Sequence, residues 1–298
     1  MFRPPGAQPL FVAGDIDGFF GIAIDNIIQF LLVLMLCTGA LGFSASLVLG
    51  TILPACALSI ILGNLFYAWQ AQRLSAKEGR TDVTALPYGL NTVSLFAYVF
   101  LVMMPVKFSA LAEGMSDEAA STLAWQIGLA ACLVSGLIEL VGSLVAEKLR
   151  KATPRAALLS TLAGIAISFI AIDFAIKTFA NPLVALLPFG VILTTYFSNV
   201  KMPGGVPGGA VAVVLGTAAA WILAALGETS PVNMDALRNA SHGMSVYIPI
   251  PVVGDLITGM THEMTADIVL PVMVPMGLVN ILGSLQYIES DEATGDAF

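Results

Sequence analysis

The chain has 298 residues, of which 57% are hydrophobic and only 11% carry a charge. A soluble globular domain carries about 25% charged residues, so this composition excludes a chain covered by a water-facing surface. The net charge of −8 includes an acidic stretch at 289–296, and nothing in the sequence is basic enough to bind nucleic acid.

The three cysteines, Cys37, Cys56 and Cys132, all lie within apolar stretches. We therefore expect them to pack as small hydrophobic residues and to form neither a disulfide nor a metal site. The sequence shows no phosphate-binding loop, no nucleophile–base pair and no cluster of metal ligands. We expect neither an enzyme nor a cofactor.

Apolar residues occur in blocks of a length that crosses the hydrocarbon core of a bilayer, which takes about 20 residues. They predict an all-α polytopic membrane protein. Pro54 lies inside the second block and predicts a kink there. The eight predicted spans are 18–38, 43–69, 88–106, 122–146, 156–176, 180–199, 205–226 and 266–287.

Basic residues are divided unevenly between the two sets of loops. With the N-terminus in the cytoplasm, nine lie in inner loops and three in outer loops. The positive-inside rule therefore predicts a multi-pass protein of the cell (inner or plasma) membrane with a cytoplasmic N-terminus. The inner residues are Arg3, Arg73, Lys77, Arg80, Lys148, Arg150, Lys151, Arg155 and Lys201, and the outer ones are Lys107, Lys177 and Arg238.

Span 1 carries polar and small residues on one face. Gly18, Gly21, Asp25 and Gln29 recur at helical spacing, and polar groups in lipid mark functional sites or helix contacts. The face is either a close packing surface with a buried hydrogen-bond network or one wall of a substrate cavity. The carboxylate favours the cavity and makes Asp25 a candidate for ion coupling.

The start of segment 3 contains residues that disfavour a helix. Pro87 disfavours α conformation at the residue before it, and Gly89 permits unusual backbone angles. Asn91 or Thr92 can cap a helix that follows, predicted over 93–105 and too short to span alone. The pattern favours a short extended stretch and a half-helix whose N-terminus faces a cavity. The alternative is an ordinary loop and a short tilted helix.

Spans 4 and 8 also carry polar groups. Glu139 in span 4 is either a packing residue or an ion-coupling group, and the sequence does not distinguish the two. Asn280 and Ser284 lie on one polar face of span 8, which favours a role in lining a site. Glu289, close to the inner end of span 8, is a third ion-coupling candidate or a solvated carboxylate.

Four stretches resemble a known family: Gly14–Gly21, Asp25–Phe30, Thr84–Thr92 and Asn280–Gln286. They are similar to xanthine/uracil permease-like members of the nucleobase–cation symporter (nucleobase–ascorbate transporter) superfamily. The resemblance implies two inverted repeats of seven spans, with a short strand and a half-helix in spans 3 and 10. The implied site residues are Gly89, Leu90, Asn91 and Thr92 from span 3, and Asn280 and Ser284 from span 8.

The resemblance also divides the chain and shows two departures. Residues 1–227 correspond to the first repeat, 228–265 to an extracytoplasmic connector, and 266–298 to the first span of the second repeat. The chain ends at Phe298, before span 10, so we interpret it as incomplete. Family members commonly carry a carboxylate at the position where this chain has Asn280. Because an asparagine cannot titrate, proton coupling through this position is called into question.

The resemblance implies a secondary-active permease for a purine, pyrimidine or similar heterocycle, coupled to protons or sodium. Tyr88 or Phe96 could stack on such a ring. The alternatives are an anion channel or exchanger on the same fold and a membrane regulator that transports nothing. A central basic residue would favour the channel or exchanger, and spans 1, 3 and 8 contain none. A homodimer is compatible with the sequence.

Overall fold

The computed structural model describes residues 8–152, 154, 156, 160, 163, 164, 166–198, 200–228 and 245–294. The regular elements in these ranges are all helical. The helices are α1 (Gly14–Ala40), α2 (Ala45–Glu78), α3 (Thr92–Ala112), α4 (Asp117–Ala152), α5 (Ile172–Ala180), α6 (Pro182–Phe197), α7 (Gly208–Ala225), α8 (Val253–Thr261) and α9 (Glu263–Thr294).

Six of these helices are long and apolar enough to cross a membrane: α1, α2, α3, α4, α7 and α9. Much of their apolar surface faces outward. On α4, for example, Leu140, Val141 and Leu144 are 66%, 65% and 83% exposed. Because water would penalise such a surface, lipid is its natural solvent, and the chain is a multi-pass membrane protein.

The other two predicted spans, 156–176 and 180–199, do not form full membrane-spanning helices in the described residues. The segment at 180–199 forms the apolar helix α6, which is shorter than a full span. The segment at 156–176 falls partly outside the described residues; its second half is a π-helical turn, Ala166–Ala171, leading into α5.

Pro54 of α2 and Pro105 of α3 lie within spanning helices without ending them. A π-helical stretch precedes each one, Val48–Ile52 before Pro54 and Ala97–Met103 before Pro105. A proline ring clashes with the carbonyl four residues earlier, and in both helices that carbonyl belongs to the wider π turn. The predicted half-helix ending at Pro105 is therefore wrong: α3 continues to Ala112 and has 21 residues.

The chain divides into two units, the first made of Met1–Gln8, Ile28–Ile165 and Tyr247–Phe298. Its core is built on one face of α3, where Val99, Val102 and Val106 are fully buried at i, i+3 and i+7. Ile127 of α4 and Met273 of α9, also fully buried, belong to the same hydrophobic cluster. The first unit thus packs α3, α4 and α9 around one core.

The end of the predicted connector belongs to this first unit. Helix α8 packs on α4, with Gly259 against the backbone carbonyl of Gln126, where a Cβ would lie within 2.0 Å of the oxygen. The Gln126 amide donates to the Asp255 carboxylate at 2.8 Å. Residues 229–244 of the connector lie outside the described residues.

The second unit, Pro9–Ile27 and Ala166–Val246, contains α5, α6, α7 and the first half of α1. Gly208 and Gly216 of α7 lie against Thr195 and Pro188, where a Cβ would come within 2.4 and 2.8 Å of the neighbouring side chain. Tyr196 donates its hydroxyl hydrogen to the Asp17 carboxylate at 3.1 Å.

Candidate functional site

The segment between α2 and α3 is non-helical from 82 to 91, and two side-chain amides hold its backbone. Gln8 donates to the Val83 carbonyl at 2.6 Å and accepts from the Val83 N–H at 3.1 Å. Asn64 donates to the Tyr88 carbonyl at 2.8 Å and accepts from the Tyr88 N–H at 3.4 Å. Each amide thus satisfies both polar groups of one residue, as a neighbouring strand would.

A glycine on α2 lets this segment approach closely. The Tyr88 ring lies over Gly63, where a Cβ would come within 2.2 Å of a ring carbon. The Tyr88 hydroxyl lies 3.3 Å from the Ser59 hydroxyl. The two predicted stacking rings already have ring neighbours, Tyr67 for Tyr88 and Phe100 for Phe96.

Helix α3 begins with the predicted cap. Asn91 has extended backbone angles (φ −81°, ψ 110°), and its side-chain oxygen accepts from the Ser94 N–H at 3.1 Å. The first two N–H groups of the helix, those of Thr92 and Val93, have no hydrogen-bond partner among the described residues. They point toward the N-terminal end of the helix, where the dipole is positive.

Asn280 of α9 joins this helix start to α4. It is 8% exposed, and its oxygen accepts from the Asn91 amide and the Ser94 hydroxyl, both at 3.2 Å. Its nitrogen donates to the Glu139 carboxylate at 2.9 Å and to the Ser135 hydroxyl at 3.4 Å. The amide therefore makes the four hydrogen bonds that an asparagine side chain can make.

We call Asn91, Ser94, Ser135, Glu139 and Asn280 the amide–carboxylate network. Its internal links include a hydrogen bond from the Ser135 hydroxyl to the Glu139 carboxylate at 3.2 Å. It connects three helices, α3, α4 and α9, within the first unit.

Gln29 of α1 supports the same helix start. It is buried, and its amide donates to the Thr92 hydroxyl at 2.5 Å. The predicted site residues Gln29, Asn91, Thr92 and Asn280 are therefore connected to each other through α3, and the ion-coupling candidate Glu139 is bonded to Asn280.

The other predicted site residues are placed differently. Gly89 is exposed and Leu90 half-buried in the segment before α3, while Ser284 is exposed one turn beyond Asn280. Asp25 is exposed and belongs to the second unit. Glu289 lies within α9, but its side chain is outside the described residues.

Three residues of this region, Gln8, Asn64 and Ser94, were not predicted from the sequence. Asn64 could have been found, because an amide in the middle of the second apolar block is itself a marker of a buried polar contact. Gln8 and Ser94 gave no such signal, since their roles depend on partners 75 and 186 residues away.

Small residues pack α4 against α9 on both sides of the Glu139–Asn280 hydrogen bond. A Cβ on Gly277 would come within 2.4 Å of Ile138, and one on Gly142 within 2.1 Å of Ile281. Close approach of this kind lets polar side chains on facing spans reach each other. The two glycine–isoleucine contacts, one in each direction between α4 and α9, therefore set the distance between Glu139 and Asn280.

A charged residue lies at the opposite end of α3. Lys107, predicted in an outer loop, is inside the helix and 6% exposed. Its ammonium donates to the Leu41 carbonyl and pairs with the Asp117 carboxylate, both at 2.8 Å, beside a cavity of about 220 Å³. Lys107 therefore lies near the end of span 3 and not in a loop as predicted; it is not the central basic residue that an anion channel or exchanger would favour.

Among the described residues, no group of three or more His, Cys, Asp or Glu side chains could hold a metal ion. Comparisons with protein-family models, curated proteins and solved structures found no match to this chain. The fold and the site together define its class, a multi-pass α-helical membrane protein with a buried polar network at the start of one span.

Proposed function

We propose that this chain belongs to a secondary-active permease for a nucleobase or a similar planar heterocycle, driven by a proton or sodium gradient. The observation that supports this most is the contact between Asn91 and Asn280, at 3.2 Å, next to a non-helical backbone. Within a bilayer, such backbone is tolerated only where it is buried in protein or lines a cavity.

The chemistry of the network suits the edge of a heterocyclic base. Such an edge presents alternating donors and acceptors, and an asparagine amide offers both. The N–H groups of Thr92 and Val93 add two donors at a positive helix end. Because Asn280 already makes four hydrogen bonds, a bound base would take over some of these bonds.

The resemblance of Thr84–Thr92 and Asn280–Gln286 to the xanthine/uracil permease-like family supports the same substrate class. The two stretches lie far apart in the sequence, yet Asn91 and Asn280 are hydrogen-bonded. Two independently recognised stretches that meet at one point are expected if both contribute to one site.

The observation that would support the alternative, an anion channel or exchanger, is Lys107, the buried cation of α3. The Asp117 carboxylate at 2.8 Å compensates its charge, and a compensated cation attracts an anion weakly. The network at the other end of the helix contains a carboxylate and no cation. The observations therefore favour a neutral or weakly acidic solute over an inorganic anion.

Uptake of labelled uracil, xanthine and hypoxanthine by cells that express the protein tests this function. Uptake of at least one base should depend on an ion gradient and stop when an ionophore is added. Asn91→Ala and Asn280→Ala should each lower uptake by about tenfold or more, since a few lost hydrogen bonds amount to about 1–3 kcal/mol.

Ser143→Ala is the matched control, because the Ser143 hydroxyl bonds only the Leu140 carbonyl of its own helix among the described residues. It should transport at the unmodified rate. All variants are compared at equal amounts in the membrane fraction. Normal uptake by both asparagine variants would refute the site, and no uptake of any base by the unmodified protein would refute the substrate class.

A further inference from the structure

Glu139 is a carboxylic acid within the spanning part of α4, Asp117–Ala146. It is half-buried, and one of its oxygens accepts from both the Asn280 amide and the Ser135 hydroxyl. An ionisable side chain at this depth is costly and points to an ion pathway or proton relay. Packing alone does not require a carboxylate there.

No basic side chain among the described residues neutralises Glu139. A carboxylate that lacks a cation in lipid must either hold a proton or be stabilised by hydrogen-bond donors. Ion pairs in the described part of the chain include Arg80 with Glu78, Arg80 with Asp82, and Lys107 with Asp117, and none of these involves Glu139.

Tyr98 of α3 interacts with Glu139, and Cys132 of α4 lies beside Tyr98. Both side chain types are neutral at physiological pH. Helix α9 contributes Asn280, which does not titrate. Helix α8 contributes Asp255, but that carboxylate bonds Gln126, about 20 Å along α4 from Glu139. Glu139 is thus the one carboxylic acid of the amide–carboxylate network.

We propose that Glu139 carries the coupling proton, and that Asn280 passes its protonation state to the solute-binding end of α3. The proposal rests on the proposed function and names its coupling ion. A proton from water adds to a Glu139 carboxylate oxygen to form an O–H group, and later returns to water on the other side. No bond of the solute breaks, and no oxidant or reductant is involved.

The hydrogen bonds link the proton to the solute. Ionised Glu139 is a strong acceptor and holds the Asn280 nitrogen at 2.9 Å. Protonated Glu139 is a weaker acceptor and becomes a donor, so the bond to Asn280 weakens. The Asn280 N–H that Glu139 held is then free to pair with a base. Protonation therefore favours solute binding.

Sodium fits this place less well. A hard cation needs several oxygen ligands, whereas the closest group to the carboxylate is the Asn280 nitrogen, a hydrogen-bond donor. The site can supply the Glu139 oxygens and the Ser135 hydroxyl. Sodium-driven uptake that is independent of pH would overturn the choice of the proton.

Glu139→Gln is the main test, because glutamine keeps the shape and one acceptor oxygen but cannot titrate. Two rates are measured in cells at matched expression: accumulation of the labelled base against its gradient, and exchange of labelled for unlabelled base. We expect the variant to lose accumulation and its pH dependence, while exchange persists at a reduced rate. Ser143→Ala should retain both.

Two results of this test would overturn the proposal. One is accumulation by Glu139→Gln that stays sensitive to a protonophore and matches the unmodified protein. The other is loss of exchange together with accumulation in a variant present at normal amounts, which would show that Glu139 has only a structural role.

Infrared difference spectroscopy of the purified protein provides a readout that does not depend on transport. A change of pH should produce a carboxylic-acid carbonyl band that is absent from Glu139→Gln and present in Ser143→Ala. The same band in Glu139→Gln would show that another group takes up the proton. If the unmodified protein transports no base but shows the Glu139 band, the proposed function fails and the proton site stands.

Discussion

The Asn64 side chain makes the two backbone hydrogen bonds that a neighbouring β-strand would otherwise make to Tyr88. Its amide donates to the Tyr88 carbonyl and accepts from the Tyr88 N–H, and its nitrogen also donates to the Ile60 carbonyl of its own helix at 2.9 Å. In lipid, an unsatisfied backbone group costs several kcal/mol. The extended segment can therefore exist at this position because α2 carries an amide there.

We predict that Asn64→Leu destabilises the protein by about 2–6 kcal/mol, because two backbone groups lose their partners at about 1–3 kcal/mol each. Thermal unfolding of the purified protein in detergent measures the change. Ser59→Ala is the matched variant on the same helix, since it removes only a side-chain contact to the same tyrosine. Equal stability of Asn64→Leu and Ser59→Ala would contradict this role.

At the scale of residues, the sequence predicted the helix cap at Asn91 but did not predict the hydrogen-bond partners of Asn91 and Asn280. The cap at Asn91 could be predicted because capping is a local property of residues three apart. The Asn91–Asn280 hydrogen bond joins residues 189 apart, and no local pattern encodes that distance. The resemblance suggested both residues for one site, but it did not indicate Ser94, Ser135 or Glu139 as their partners.

At the scale of elements, α3 differs most from its prediction. The sequence predicted that this helix ends at Pro105. Pro105 has no N–H to donate to the preceding turn, and the π-helical stretch Ala97–Met103 accommodates it, so the helix continues to Ala112. Lys107 consequently lies inside a helix, where its charge is paired with Asp117.

The contact between α4 and α9 depends on two glycines, Gly142 and Gly277, each of which packs against an isoleucine of the other helix. We predict that Gly277→Ala destabilises the protein by about 1–3 kcal/mol, because the new methyl group overlaps the β-branched Ile138, which cannot easily move. It should also weaken accumulation of the base, because moving Asn280 away from Glu139 breaks the hydrogen bond that links the proton to the solute. Thermal unfolding and uptake at matched expression measure the two effects.

Gly283→Ala is the control on the same helix. Nothing lies within 4 Å of the position of its Cβ, and alanine is favoured over glycine in a helix by about 1 kcal/mol. It should leave stability unchanged or slightly higher, with normal uptake. If both alanine variants behaved alike, close packing at Gly277 would not be what holds α4 against α9.

At the scale of the whole molecule, composition was the most informative property of the sequence. A low charge content and long apolar blocks predicted a multi-pass helical protein, and six helices confirm it. Helix α6 was overcounted as a full span because a window of apolar residues does not show where a helix begins and ends. Apolar length is a property of the sequence, whereas helix ends depend on caps, turns and neighbours.

The orientation is a further prediction at this scale. Lys77 lies in the last turn of α2, before α3, and Glu113 directly follows α3. Helix α3 has 21 residues and so covers about 30 Å, enough to place the two residues on opposite sides of a bilayer. The positive-inside rule puts Lys77 in the cytoplasm. Lys107 no longer counts among the outer loop charges, because it lies inside α3, so the asymmetry of the loops becomes larger.

Cysteine labelling tests this orientation in a background where Cys37, Cys56 and Cys132 are replaced by alanine. Lys77 and Glu113 are exposed, so Lys77→Cys and Glu113→Cys should both react with a small maleimide once the membrane is permeabilised. In intact cells, a membrane-impermeant maleimide should label Glu113→Cys and leave Lys77→Cys unlabelled. Labelling of Lys77→Cys alone would place the N-terminus outside, and labelling of both would show that α3 does not cross the membrane.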